Sequence, residues 1–325
     1  VIVPRYWAEA RLQEKRNGRQ ITLRRFGWSN ESLEAAHAMA DRRVAEAMER
    51  VRRGERVGRR EKKVAYNGAD GLPIREQIVA EHGTAVITRN AYGAQCLNTP
   101  DVLFADVDFD GPEAPWLAPV GCLSSLLVAF VVGLVTHAPE IGLAVGFGLV
   151  ILILLVARGA RRVRVAWAGG AEALALRRVR AFVARHPSWR VRAYRTPAGM
   201  RLLALHRPLA PSDAEVAAFF AAIAADPQYV RMCVLQRCYR ARLTAKPWRI
   251  GTEGHLKPRP GVWPVREARR AEREAWLARY DAEAAKYAAC RFVGTIGEGA
   301  IDAHCDAVRA LHDTASGAES DRPLA

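Results

Sequence analysis

Residues 118–157 read APVGCLSSLLVAFVVGLVTHAPEIGLAVGFGLVILILLVA. The run holds no Lys, Arg or Asp, and its one acid, Glu140, falls in the short turn His137-Ala138-Pro139-Glu140. That turn divides it into apolar stretches at 118–136 and 140–157. Each approaches the ~20 residues an α-helix needs to cross a ~30 Å hydrocarbon core. A buried soluble hairpin this long and this free of charge is unusual, so the pattern predicts a transmembrane hairpin of two helices. Gly142, Gly146 and their small neighbours allow the helices to approach closely. Arg158, Arg161, Arg162 and Arg164 follow the second stretch and mark that end as cytoplasmic. Two spans return the chain to its starting side. Both termini are therefore expected in the cytoplasm, with the chain in the inner membrane and the His137–Glu140 turn outside.

Upstream, residues 5–26 alternate as a β-hairpin does, with Asn17-Gly18 as the turn. A helix is expected from about Glu31 to Arg53, since Leu33, Ala36, Ala40, Val44, Ala47 and Val51 recur at helical steps. Ser29 or Asn30 is placed to cap it. Residues 54–72 read as a loop, and Pro73 as the opening of a short helix to about Glu81. Strand-like runs follow at 84–89, 91–97 and 102–109.

Downstream, a helix is expected over 170–186 and two strands over 189–195 and 200–206, joined by Thr196-Pro197-Ala198-Gly199. Ser212 and Glu215 have capping-box spacing for a helix to about Ala225. Residues 229–235 read as a strand, 251–264 as a linker, 265–289 as a charged helix and 316–325 as a disordered tail. The fold class expected is α+β. A ferredoxin- or RRM-like split βαβ sheet has helices on one face, and the transmembrane hairpin is an insertion in its first crossover. The domains expected are an N-terminal region at 1–83, a core formed by 84–117 and 165–250, the hairpin at 118–157, and a C-terminal region at 251–315.

The 325 residues carry a formal net charge of +15. Mean hydropathy is only −0.09 although half the residues are hydrophobic, so the apolar content is concentrated. The positive balance favours anionic partners: nucleotides, nucleic acid or acidic lipid headgroups. Positive-inside bias alone also gathers Lys and Arg. The N-terminus is polar, and no secretory leader is expected there. The six cysteines form no CxxC pair and suit a reducing compartment. Cys290, His304, Cys305 and His312 form a candidate metal cluster, for which ordinary helix positions are the simpler reading.

Three segments carry candidate chemistry. In Phe104-Ala105-Asp106-Val107-Asp108-Phe109, strand alternation puts Asp106 and Asp108 on one face, where two carboxylates suit Mg²⁺ or Mn²⁺. His206 closes the strand 200–206. The run from Arg237 to Arg249 interleaves Arg240, Arg242 and Lys246 with Trp248, a mixture that suits phosphate contact and base stacking. A basic edge lying under anionic lipid is the other reading of that run.

These three segments, in this order, resemble the catalytic core of the archaeo-eukaryotic primase superfamily, particularly its primase-polymerase branch. The resemblance covers roughly residues 84–250 with the hairpin set aside. It implies an acidic metal-binding strand at Asp106 and Asp108, and a small-x-His motif at Ala204-Leu205-His206 that contacts a triphosphate. It also implies a phosphate-binding basic run with Arg237, Arg240, Arg242 and Lys246. His206 lies a few residues later than the family spacing, and the nearest counterpart of the family's third acid is Asp226. The expectation is a membrane-anchored domain that binds nucleotide or single-stranded nucleic acid, with metal-dependent nucleotidyl transfer as its chemistry. The alternative is a non-enzymatic membrane protein whose basic domains dock on anionic lipid or a protein partner.

Overall fold

The computed structural model describes residues 3–16, 18–61, 72–109, 117–256 and 263–325. Strands β1 (Tyr6–Arg16) and β2 (Arg19–Ser29) form the expected antiparallel hairpin. Gly18 takes the positive φ of a tight turn, 73°, while Asn17 lies outside the described residues. Helix α1 (Leu33–Arg52) is capped by Ser32, whose hydroxyl accepts from Ala35 N; neither Ser29 nor Asn30 fills that role. The helix packs Ala36, Ala40, Val44 and Met48 on Ala8, Ala10 and Leu23 of the hairpin. Contact is close enough that a Cβ at Gly27 would lie 2.2 Å from Ala36 O and from Ala40 N.

Two four-stranded antiparallel sheets follow. The first has the order β3 (Gln77–His82), β4 (Ala85–Arg89), β5 (Gln95–Thr99), β9 (Tyr239–Arg242). Residues 77–82 were expected in a helix after Pro73. They are a strand because the two-residue turn at Gly83 folds them back onto β4, and pairing outweighs the proline signal. The second sheet has the order β10 (Arg291–Ile296), β7 (Val191–Thr196), β8 (Gly199–Ala204), β6 (Phe104–Asp108). Strand β8 is antiparallel to both neighbours, so β6 and β7 run parallel with β8 between them.

Between β6 and β7 the chain makes α2 (Leu117–Thr136), α3 (Pro139–Trp167) and α4 (Ala171–Val183). Helix α4 and helix α5 (Ala214–Ile223) cover the second sheet, with Val179, Phe182, Val216 and Phe219 in one core with Leu203 and Trp189. No side chain caps α5 in the expected capping-box manner; Asp213, not Ser212, is its N-cap. Residues 229–235, expected as a strand, lie in helix α6 (Pro227–Gln236). Asp226 caps it through Gln228 N, Pro227 occupies its first turn, and Arg237 ends it in the left-handed conformation at φ 50°.

At the C-terminal end, α7 (Arg270–Ala284) is shorter than the helix expected over 265–289. It is followed by β10 and α8 (Ala303–Ser316). The expected disordered tail is instead packed: Ala318 and Ala325 are buried, and the Ala288 N–H donates to Pro323 O.

Helices α2 and α3 pack on each other through small residues. A Cβ at Gly142 would meet Ala129 O at 2.2 Å, and one at Gly146 would meet Ala129 Cβ at 2.6 Å. Their outer faces expose Leu127, Phe130, Val135, Leu143 and Phe147. Among the described helices, α3 is long and apolar enough to cross a membrane; the apolar part of α2, Val120–Thr136, is shorter than that measure requires. Helix α3 runs unbroken past its arginines and touches the core, where the Arg161 guanidinium donates to Phe109 O at the end of β6.

Candidate anion-binding cleft

The two sheets meet at β6 and β9, and a cleft of ≈ 370 Å³ opens there. Strand β6 contributes Asp106, β8 contributes Arg201, β9 contributes Arg240 and Arg242, and the chain after β9 adds Lys246. Glu76, Tyr92, Cys96 and Tyr229 complete most of the wall. Helix α6 fixes the seam between the sheets. Tyr229 donates its hydroxyl to Phe104 O on β6 at 3.0 Å and accepts from Arg240 N on β9 at 3.2 Å.

Each buried cation is held by a specific partner. Arg201 is register partner to Asp106 across the strand pair, and its Nε donates to Asp106 Oδ1 at 3.0 Å. Its Nη1 donates to Arg242 O at 2.8 Å and faces His312 Nε2 at 3.5 Å. Burial works against the Arg201 charge, but the facing Asp106 and the other neighbouring groups outweigh it, so its pKa is raised. Arg240 forms an ion pair with Glu76, and both side chains are almost fully buried. Glu76 in turn accepts from Thr88 Oγ1 at 2.7 Å, and Asn98 Nδ2 donates to Thr88 Oγ1 at 2.9 Å. This polar chain sets the Arg240 side chain under the cleft floor. Its Nη1 and the Nε of Arg242 are buried without a hydrogen-bond partner.

The cleft is electrostatically overloaded with positive charge. Lys246 is pushed below the ordinary lysine range by burial first and then by repulsion from Arg242 and Arg249; Asp108 and Asp106 offset this only in part. Beside the cleft, Tyr92 packs edge-on against Trp248 with ring centroids 5.1 Å apart. Lys246 Nζ lies 5.4 Å from the Trp248 ring centroid, and that ring is 59% exposed.

The expected site residues divide. Asp106, Arg240, Arg242 and Lys246 converge on the cleft. Asp108 is exposed at the end of β6 and lines a separate, smaller hollow with Arg161 and Asp226. Asp226 gives its backbone N–H to Asp106 O and uses its carboxylate to cap α6. Arg237 is exposed at the end of α6 and is not part of the cleft lining. His206 is remote: it lies two residues past the end of β8 and is not part of the cleft lining. There it packs on Trp189 at 4.4 Å between ring centroids, and both ring nitrogens lack a hydrogen-bond partner.

The residues present do not suit Mg²⁺ or Mn²⁺. The Asp106 carboxylate is engaged by Arg201, four cationic side chains line the same cleft, and Asp226 is committed to a helix cap. Among the described residues, no group of three acidic, His or Cys side chains could hold a metal ion. Cys290, His304, Cys305 and His312 likewise do not gather. His304 pairs with Asp101 at 3.0 Å, whereas the buried His312 sits between Asp313 at 2.9 Å and Cys290 at 3.9 Å.

The residues that sequence reasoning missed are Arg201, Glu76 and Tyr92. The one local signal was for Arg201, a lone charge in the strand Gly199–Ala204 whose every other residue is apolar. Fold and site together define an α+β protein with antiparallel sheets and a basic cleft at their junction. No family model, curated protein or solved structure matches the chain.

Proposed function

We propose that this chain is a membrane-anchored protein whose basic cleft binds the phosphates of a nucleotide or of single-stranded nucleic acid. The observation that carries this reading is the convergence of Arg201, Arg240, Arg242 and Lys246 on one cleft that Tyr92 and Trp248 flank. Guanidinium groups held in place by carboxylate partners, as Arg201 and Arg240 are, are preorganised for phosphate oxygens. An exposed indole beside them offers a face for a base. The parallel pair β6 and β7, with β8 between them and α4 in their connection, supports the split βαβ reading. Of the motifs behind the primase-polymerase resemblance, the acidic strand and the basic run share the cleft, whereas the small-x-His motif does not. No metal-dependent transfer step is assigned, because the donor set does not suit the ion.

The anchor is the α2–α3 pair, read as two spans with both flanking parts in the cytoplasm. Its support is the length of α3, the apolar outer faces and the arginines that follow. Binding is tested with the full chain in detergent, using fluorescent ATP and a short single-stranded oligonucleotide across a salt series. Affinity should fall steeply as salt rises. Absence of salt-sensitive binding to both probes would remove the reading. The anchor is tested by reporter fusions at positions 60 and 260, both expected inside, and by a tag at Pro139, expected outside. Recovery of the protein from cells without detergent would refute it.

A further inference from the structure

We propose that Arg201 stands in the cleft where a divalent cation would otherwise neutralise phosphate, so that the cleft takes phosphate directly and without metal. The inference rests on the phosphate-binding reading of the cleft and adds the identity of the neutralising group. Arg201 is delivered by β8 directly opposite Asp106, the acid best placed to hold an ion. Its guanidinium already satisfies that carboxylate at 3.0 Å, so a divalent ion would have to displace a buried, three-partner arginine. A metal would also enter beside Arg240, Arg242 and Lys246, where like charge opposes it.

An anion meets the opposite field. Arg240 is over nine-tenths buried, lines the cleft, and keeps Nη1 without a hydrogen-bond partner. An unmet buried donor is costly, and a phosphate oxygen is the ligand that relieves it. Arg201 and Arg240 are also fixed by separate networks, one through Asp106 and His312 and one through Glu76 and Thr88. Neither side chain has to be ordered when the ligand arrives.

The test is calorimetric titration of the full chain in detergent with inorganic pyrophosphate, once in EDTA and once in excess Mg²⁺. The expected result is binding in EDTA at least as tight as in Mg²⁺. Binding that appears only with Mg²⁺ or Mn²⁺ overturns the inference and leaves the phosphate-binding reading standing. No binding in either buffer overturns both. Asp106→Asn supplies a second readout of opposite sign. A metal site loses its ligand and its binding, whereas the proposed site loses a competing negative charge and binds pyrophosphate roughly three- to tenfold more tightly. A folded Asp106→Asn protein that binds more weakly than the native chain also overturns the inference.

Discussion

The Arg201 guanidinium, 3% exposed, lies opposite the Asp106 carboxylate, 31% exposed, on adjacent antiparallel strands, with Nε and Oδ1 3.0 Å apart. The pair is asymmetric. Asp106 can fall back on water if its partner is lost, and Arg201 cannot. Asp106→Ala should therefore lower unfolding free energy by about 3 kcal/mol, the scale for an uncompensated buried charge. Asp106→Asn keeps an acceptor and should cost less. Denaturant unfolding in detergent measures both.

The Glu76–Arg240 pair is deeper than the Asp106 pair. Glu76→Ala strands Arg240 and should cost about 3–5 kcal/mol. Thr88→Val keeps the ion pair but removes the charge-assisted hydrogen bond to Glu76 and the one accepted from Asn98, and should cost about 2 kcal/mol. Equal losses in the two variants would show that the ion pair is not what stabilises this seam.

On the proposed reading of the cleft, Trp248 separates base from phosphate recognition. Its ring is exposed, so Trp248→Ala should leave the melting temperature unchanged. Affinity for ATP should fall by about 1–3 kcal/mol, while affinity for inorganic pyrophosphate stays as it was. A loss common to both ligands would argue against stacking.

His206 belongs to acid stability. Burial first, and then Arg207, hold it below its ordinary value of 6.5, with Glu215 opposing. The unfolded chain therefore takes up this proton before the folded one does. Stability from this residue is complete above pH ~6.5 and is lost as pH falls through the lower folded value. His206→Gln should flatten that part of the stability profile and leave nucleotide affinity unchanged. A large loss of nucleotide binding would restore the role implied by the small-x-His motif.

Gly142 tests the apolar pair. A side chain there meets Ala129 O and the backbone of Gly133 at under 3.0 Å, so Gly142→Leu must push α2 and α3 apart. Disulfide cross-linking of cysteine pairs placed across the helix interface should become slower than in the native pair. Unchanged cross-linking would mean that the helices do not pack here.

The parts of the fold legible in the sequence were those with a local cause. Alternation and helical spacing marked the first hairpin and α1, and Ser32 displaced the expected caps by two or three positions only. The segment 229–235 misled because a short apolar run suits a buried strand or a buried helix equally. Asp226-Pro227 carried the helix-start signal. Nothing local to 77–82 announced that β4 would pair with it. In the site, the basic run was legible as composition, but Arg201 was not, because its meaning comes from an acid 95 positions away. His206 was the more visible residue, yet it lies two residues past the end of β8, against Trp189 and outside the cleft lining.

Strand β6 reaches its hydrogen-bonded neighbour β8 only across about ninety intervening residues, and both apolar helices lie in that interval. At ribosomal rates of about 5–20 residues per second, the acidic strand waits roughly 5–20 seconds for its mate. The apolar helices emerge first and must find cover while the strand edge is still bare. Synthesis thus runs in a fixed order, with both apolar helices complete before the strands that close the cleft exist. A nascent chain halted before residue 199 carries Asp106 but none of Arg201, Arg240, Arg242 and Lys246, and so lacks every cation of the cleft.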